Sequence, residues 1–285
     1  MVDDQTTLLF PSQGYTSLPL CDSGGLVCCV AAGPGGHALR VLLDTGTDPS
    51  AIDSGLARRL ALRTGGQGLG SGAVSDEVPF TEAVLPWLRL GDLTIRDLYA
   101  PALELRTLPF EVDIVLGYNV LRQLALRIDY RREMLTLAHP DLGVPQPDQG
   151  ATMLPLVFFE QFPALEGIEV AGRRIRLATL DTGSNAALTL GPDIASELGL
   201  LPGEADVQIT SGAGFGGGGT VLRGRGKPVR IGPLELPDVE LDTPAIARGD
   251  LSRAGRVNIG NRLLARFAAV ALDYERRQLT LEYEE

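Results

Sequence analysis

The chain is poor in the residues that build metal centres, disulfide frameworks and nucleophile–histidine pairs. Its 285 residues include two histidines and three cysteines. His37 and His139 lie far from any spaced set of ligands, so no metal is expected. Neither stands near a credible nucleophile, and no Gly-x-Ser-x-Gly elbow occurs, which argues against a serine or cysteine hydrolase. Cys21, Cys28 and Cys29 are odd in number and clustered. The last two are neighbours in an apolar stretch, where successive side chains point to opposite faces. They read as strand residues, and a disulfide framework is not expected.

Positive charge is also scarce. The formal net charge of -11 repels nucleic-acid phosphate and anionic membrane surfaces, so neither is an expected partner. The short basic stretch "RGRGK" at 223–227 reads as a solvated face. No apolar run of about 18 residues occurs, so membrane insertion is not expected. The start "MVDDQTTLLF" lacks a basic segment followed by an apolar one. As it stands the chain reads as soluble and cytoplasmic, and as periplasmic or secreted if a leader was removed.

What the chain has in quantity is glycine, 35 residues, and proline, 19, between short runs of Val, Leu and Ile. Runs of four to eight apolar residues bounded by turn residues predict a mostly β protein. The length suits two lobes. The sequence also repeats itself. "VLLDTGT" at 41–47 returns as "ATLDTGS" at 178–184, each preceded by a Leu-Pro-Leu run ("SLPL", "MLPL"). Each is followed by a short helical stretch, "AIDSGLARRLAL" at 51–62 and "LGPDIASELGL" at 190–200. Then come "DIVLGYNVLRQLALRIDYRREMLTL" at 113–137 and "RVNIGNRLLARFAAVALDYERRQLTL" at 256–281, where a strand is expected to begin at Asp129-Tyr130 and Asp273-Tyr274. Four features in the same order define two homologous β lobes. The Pro-rich link "HPDLGVPQPDQG" at 139–150 is the natural boundary, giving domains 1–145 and 146–285.

Two halves that each present one acid on a strand-end loop can set Asp44 and Asp181 face to face, as a symmetric dimer would. Two carboxyls in hydrogen-bond reach share one proton. The ionised member can then deprotonate a water while the protonated member polarises a carbonyl. Gly46 and Gly183 allow a tight turn that brings amides to the carboxylate. Thr45 and Thr182 can bond across to the opposite loop. The hydroxyls of Thr47 and Ser184 can donate to the carboxylates.

With both Asp-Thr-Gly loops and the motifs "VLG" and "NIG" in view, the chain resembles the aspartic peptidases, more particularly the retropepsin-like ones, from about residue 18 to 283. The resemblance implies an all-β fold of two homologous retropepsin-like β-barrel lobes, related by a pseudo-twofold around a central cleft, with the apolar-apolar-Gly segments crossing behind the catalytic loops. It implies an endopeptidase whose dyad is Asp44 and Asp181, needing no cofactor and acting as a monomer with an internal pseudo-dimer on a peptide or protein substrate. Unlike pepsin-like enzymes, each half has a glycine-rich stretch, "GGQGLGSG" at 65–72 and "SGAGFGGGG" at 211–219. These are expected to be two flaps contacting substrate through Gly68, Gly70, Gly214, Phe215 and Gly216, unequal because only the second has an aromatic. Asp48 is expected to point outward as a loop acid.

"GAGFGG" at 212–217 formally matches a dinucleotide fingerprint, but the strand-like "TVLRGRGKPVRIG" follows where a helix is required. The competing reading is an aspartic-protease-like domain that binds a peptide without cutting it. Both acids, both threonines and both glycines are present, which favours catalysis.

Overall fold

The short apolar runs fold as strands, 52% of the chain against 11% helix, in the computed structural model, which describes residues 4–73, 75–145, 150–246 and 248–283. The protein is all-β, as the alternation predicts. Burial along Tyr15–Pro19 alternates strictly, with Thr16 and Leu18 inward, which is the period-2 pattern of a half-buried strand. The helices are short, among them Ser54–Arg59 and Pro192–Glu197 within the two expected stretches. Asp53 caps the first by accepting the Leu56 N–H at 2.9 Å, satisfying one of the helix's free donors. No helix among the described residues is long and apolar enough to cross a membrane.

The described residues form three sheets of nine, six and eight strands. The nine-stranded sheet belongs to the first half and the eight-stranded one to the second, and they share a pairing order. In the first, Ile114–Leu116 runs parallel to Ala38–Leu43 and antiparallel to Ala51–Asp53. In the second, Val257–Gly260 runs parallel to Arg173–Asp181 and antiparallel to Leu188–Leu190. Extra pairings, Thr81 with Ala102 and Glu169 with Arg230, tie strands from distant places in each sheet's order.

The six-stranded sheet draws on both halves. Tyr15–Pro19, Met134–Ala138 and Ala125–Asp129 come from the first; Ala269–Asp273, Gln278–Glu282 and Ala151–Pro155 come from the second. At its centre the two repeated strands pair antiparallel, Arg127 opposite Ala271. Behind all three sheets lies one large buried apolar cluster with members from both halves, among them Leu43, Leu116, Leu180, Ile259 and Leu272. Residues 146–149 of the Pro-rich link, where the domain boundary was placed, lie outside the described residues.

Two expectations are corrected. The strands do not begin at Asp129 and Asp273 but end there. Each acid accepts a turn N–H, from Arg132 and Arg276 respectively, at 2.8 Å, so the Asp-Tyr pair opens the turn of a hairpin. The second correction concerns cysteine: Cys21 and Cys28 are disulfide-bonded. The adjacent pair drew attention, but the bonded pair faces across a chain reversal, where the Cys21 N–H donates to the Cys28 carbonyl at 2.7 Å. Their Cα atoms are 5.3 Å apart, within the usual disulfide span. Cys29 points the other way and is fully buried, which pushes its thiol up to about 12.

The basic stretch at 223–227 is paired as well as solvated. Arg223 grips Asp242 with two bonds of 2.8 Å, and Arg225 meets Asp206 at 3.0 Å.

Across the central sheet, Arg127 forks onto Glu282 at 2.8 and 2.7 Å and reaches Asp129 at 2.9 Å. Removing one partner of such a shielded pair leaves a charge uncompensated. Arg127→Met is expected to destabilise the protein by about 3 kcal/mol in chemical denaturation. Adding Glu282→Met should recover part of that loss, since both charges then leave together.

Candidate active site

Each Asp-Thr-Gly loop is anchored by the apolar strand behind it. Asp44 follows Ala38–Leu43 and its N–H donates to the Leu116 carbonyl at 2.9 Å. Asp181 ends Arg173–Asp181 in register with Gly260. Gly117 and Gly260 let the loops pass close: a Cβ on either would lie 2.5 Å from the Thr47 carbonyl oxygen or 2.2 Å from that of Ala186. The N–H of the next residue then holds the loop, Tyr118 to the Thr47 carbonyl at 2.8 Å and Asn261 to that of Ser184 at 2.7 Å.

The loops interlock through their threonines. Thr45 Oγ1 donates to the Leu180 carbonyl at 2.7 Å and accepts the Thr182 N–H at 3.1 Å. Thr182 Oγ1 donates to the Leu43 carbonyl at 2.7 Å and accepts the Thr45 N–H at 3.1 Å. Both threonines are 1% exposed. Four crossed bonds therefore fix one strand end against the other.

This interlock brings the Asp44 and Asp181 carboxyls within hydrogen-bonding reach of each other. Each glycine of the motif lies against the opposite acid, and a Cβ on Gly46 would stand 2.7 Å from Asp181 Cγ, one on Gly183 2.3 Å from Asp44 Cγ. No side chain fits there. Their N–H groups turn back to their own aspartates, Gly46 to Asp44 Oδ1 at 2.8 Å and Gly183 to Asp181 Oδ1 at 3.0 Å. The outer oxygens differ. Thr47 donates to Asp44 Oδ2 at 2.6 Å. Asp181 Oδ2 takes a bond from Asn258 Nδ2 at 2.8 Å, while the Ser184 hydroxyl faces the Ala186 N–H at 3.4 Å.

Burial raises the Asp44 carboxyl well above the ordinary range, and the neighbouring Asp181 charge adds to it, against the Thr47 and Gly46 bonds. Asp181 is also raised by burial, offset by the bonds from Asn258, Asp44, Gly183 and Ser184. A pair that shields its carboxyls from water and sets them side by side holds a proton at pH values where an isolated aspartate has lost it.

The pair opens into a cleft of about 900 Å³, spacious enough for several side chains. Two hairpins contribute to its lining, Arg63–Gly70 with Val78–Leu90 and Val207–Gly214 with Gly217–Ile231. Gly70, Gly214 and Phe215 line the cleft, as do Thr47 and Ser184. Gly68 instead lies beneath the Phe80 ring, and Gly216 packs against Ser75 of the other hairpin. The hairpins are unequal. Phe215, at the second tip, packs against the apolar cluster of Leu26, Leu42, Ala51, Leu105, Val112 and Val115 in the first half. The second half also contributes the polar Thr179, Asn258 and Arg256 to the lining, the last stacked 5.0 Å over Phe159. Asp48 lines the rim and is exposed. The fingerprint-like glycines at 212–217 form a hairpin turn with no helix behind it.

Nothing local to the sequence marks Asn258 and Thr179 as site residues, since "NIG" reads as the counterpart of the apolar motif "VLG". The signal was present in the alignment of the halves, where these two polar residues replace Val115 and Leu42. Among the described residues no group of three or more His, Cys, Asp or Glu is placed to hold a metal ion.

Residues 30–120 match the aspartyl protease family, a stretch that carries the first Asp-Thr-Gly loop, the first hairpin and Ile114–Leu116. That similarity points to peptidase chemistry. No curated protein matches the chain.

Two outcomes follow from this geometry. Thr182→Val leaves the Thr45 N–H and the Leu43 carbonyl without partners, and should cost about 3 kcal/mol in denaturant unfolding, whereas Thr182→Ser should stay within about 1 kcal/mol of the parent. The second concerns pH. Because the folded Asp44 keeps its proton above the unfolded value, the folded state binds more protons there and stability falls as pH rises through that window, by about 1.4 kcal/mol per unit. Asp44→Asn removes this term. Its melting temperature should exceed the parent's above pH about 4, with the gap widening as pH rises toward the folded value.

Proposed function

We propose that the protein is a single-chain aspartic endopeptidase of two retropepsin-like barrel lobes, residues 1–145 and 146–285, related by an internal pseudo-twofold. The observation that carries this reading is the reciprocal threonine interlock, with the matched strand pairing around it. An interlock of four like bonds is what a twofold relation between the loops demands. The extra pairings within each sheet support the barrel description, and the shared six-stranded sheet supports a monomer held by its own two halves.

In this mechanism Asp44 and Asp181 hold one proton and one water between them. The ionised carboxylate takes a proton from the water as its oxygen attacks the peptide carbonyl carbon, and the protonated carboxyl donates to the carbonyl oxygen. One hydroxyl of the tetrahedral diol then returns its proton to the ionised carboxylate as its oxygen re-forms the carbonyl, the C–N bond breaks, and the other carboxyl gives its proton to the leaving amine. Thr45, Gly46, Thr182 and Gly183 set the geometry. The substrate lies extended beneath the hairpins, held by backbone hydrogen bonds to Gly70 and Gly214, with Phe215 closing over it and water excluded. The apolar wall around Leu26 and Leu42 favours a hydrophobic side chain beside the scissile bond. No metal or organic cofactor enters the chemistry.

A peptide-library digestion followed across pH tests the proposal. The native protein should cut, and Asp44→Asn and Asp181→Asn should each lose cutting by at least a thousandfold, on the order expected when one member of a catalytic unit is removed. Cutting that survives both substitutions rejects the dyad. A native protein that binds peptides without cutting and shows no preference for a statine-type transition-state mimic is the non-catalytic binder instead.

A further inference from the structure

The two halves do not hold their acids alike. On Asp44 the donor to the outer oxygen is a loop hydroxyl, Thr47, at 2.6 Å. On Asp181 it is an amide from the strand behind the loop, Asn258, at 2.8 Å. Asn258 is 3% exposed and stands in register with Thr179 on the neighbouring parallel strand. Thr179 Oγ1 lies 2.8 Å from Asn258 Oδ1 and 3.2 Å from the Val257 carbonyl. Of its two acceptors the nearer is Asn258 Oδ1, and donation there leaves the Asn258 NH₂ group facing Asp181 as donor. In the first half the same two places hold Leu42 and Val115, both buried in the apolar cluster.

The two donors differ in kind. A hydroxyl rotates, and can donate to an ionised carboxylate or accept from a protonated one. A side-chain amide nitrogen only donates, so it favours the ionised partner. We propose that Asn258 is a positioning residue that keeps Asp181 the ionised member of the pair, so that Asp181 draws the proton from the attacking water while Asp44 donates to the substrate carbonyl. This rests on the hydrolytic reading above. The upward displacement of Asp44 by burial and by the Asp181 charge agrees with it. Other titratable or charged groups near the pair include Tyr274, whose phenol feels Asp44, and Arg256, which feels Asp181, and Asp48, Glu160, Asp250 and Arg253 line the same cleft. All are left in place by the substitutions below.

The test uses the full chain with Asn258→Val, the residue the first half carries there, and Thr179→Val, which frees the amide to turn. Carboxyl carbons of the aspartates are titrated by ¹³C NMR in all three proteins, and kcat/KM for a peptide cut by the native protein is followed across pH. In the native protein Asp181 should ionise first, with Asp44 still protonated. Asn258→Val should raise that first ionisation by about one pH unit, move the acid limb of the kcat/KM profile up with it, and lower kcat with KM within about twofold. Thr179→Val should act in the same direction and more weakly. A first ionisation unmoved in both variants, or residing on Asp44 in the native protein, overturns the assignment even where peptide is cut. Variants whose first ionisation shifts as described, beside a native protein that cuts nothing, keep the assignment of the ionised acid and reject the hydrolytic reading.

Discussion

Everything at the centre of this molecule depends on two threonine side chains that have no water to turn to. At 1% exposure, each hydroxyl must donate and accept within the protein, and each finds both partners in the opposite loop. A buried backbone N–H or carbonyl left without a partner costs about 1–3 kcal/mol, so the loops cannot slide apart without orphaning four groups together. The interlock is therefore close to all-or-none. It fixes the separation of Asp44 and Asp181 more tightly than a pair of acids, left to their own repulsion, would allow. Gly46 and Gly183 complete the constraint by leaving room for the opposite carboxyl where any Cβ would collide.

The two halves match in strand pairing near the loops and differ in the side chains around the acids. The pairing order of the two large sheets matches strand for strand near the loops, and the central sheet joins the repeated strands antiparallel. The side chains facing the cleft diverge. The first half contributes Leu26, Leu42 and Ala51, from the apolar cluster that receives Phe215 of the second half; the second half contributes Thr179, Asn258 and Arg256. Backbone pairing is insensitive to which side chains point outward from it, so duplication can keep the ladder while each half's cleft residues change. A homodimer has to present the same residues twice. A single chain does not, and here the two acids take different donors, Thr47 on Asp44 and Asn258 on Asp181.

The frame was legible because its signals are periodic or repeated. The short apolar runs read as strands, the doubled Asp-Thr-Gly loops and the stretches at 51–62 and 190–200 align with one another, and the glycine-rich stretches lie in hairpins. What was not legible depends on contacts between residues distant in sequence. Asn258 looked like one more member of an apolar triplet, since nothing local to "VNIG" shows that its side chain meets Asp181. Ser184 was given the role that Thr47 plays, because the two align; in space it turns toward Ala186. Cys21 and Cys28 were set aside through attention to the adjacent pair, while the chain reversal that joins them is a tertiary feature. Asp129 and Asp273 were placed at strand starts because an acid and an aromatic read equally well on either side of a hairpin turn.

The central claim is that the two carboxyls act on one bound oxygen. A crystal structure of the complex with a statine-type mimic tests it directly. The mimic's hydroxyl should lie within about 3.2 Å of an oxygen of both Asp44 and Asp181, beneath the two hairpins and with the threonine interlock intact. A mimic that binds elsewhere, or acids drawn so far apart that no single atom can touch both, would contradict it.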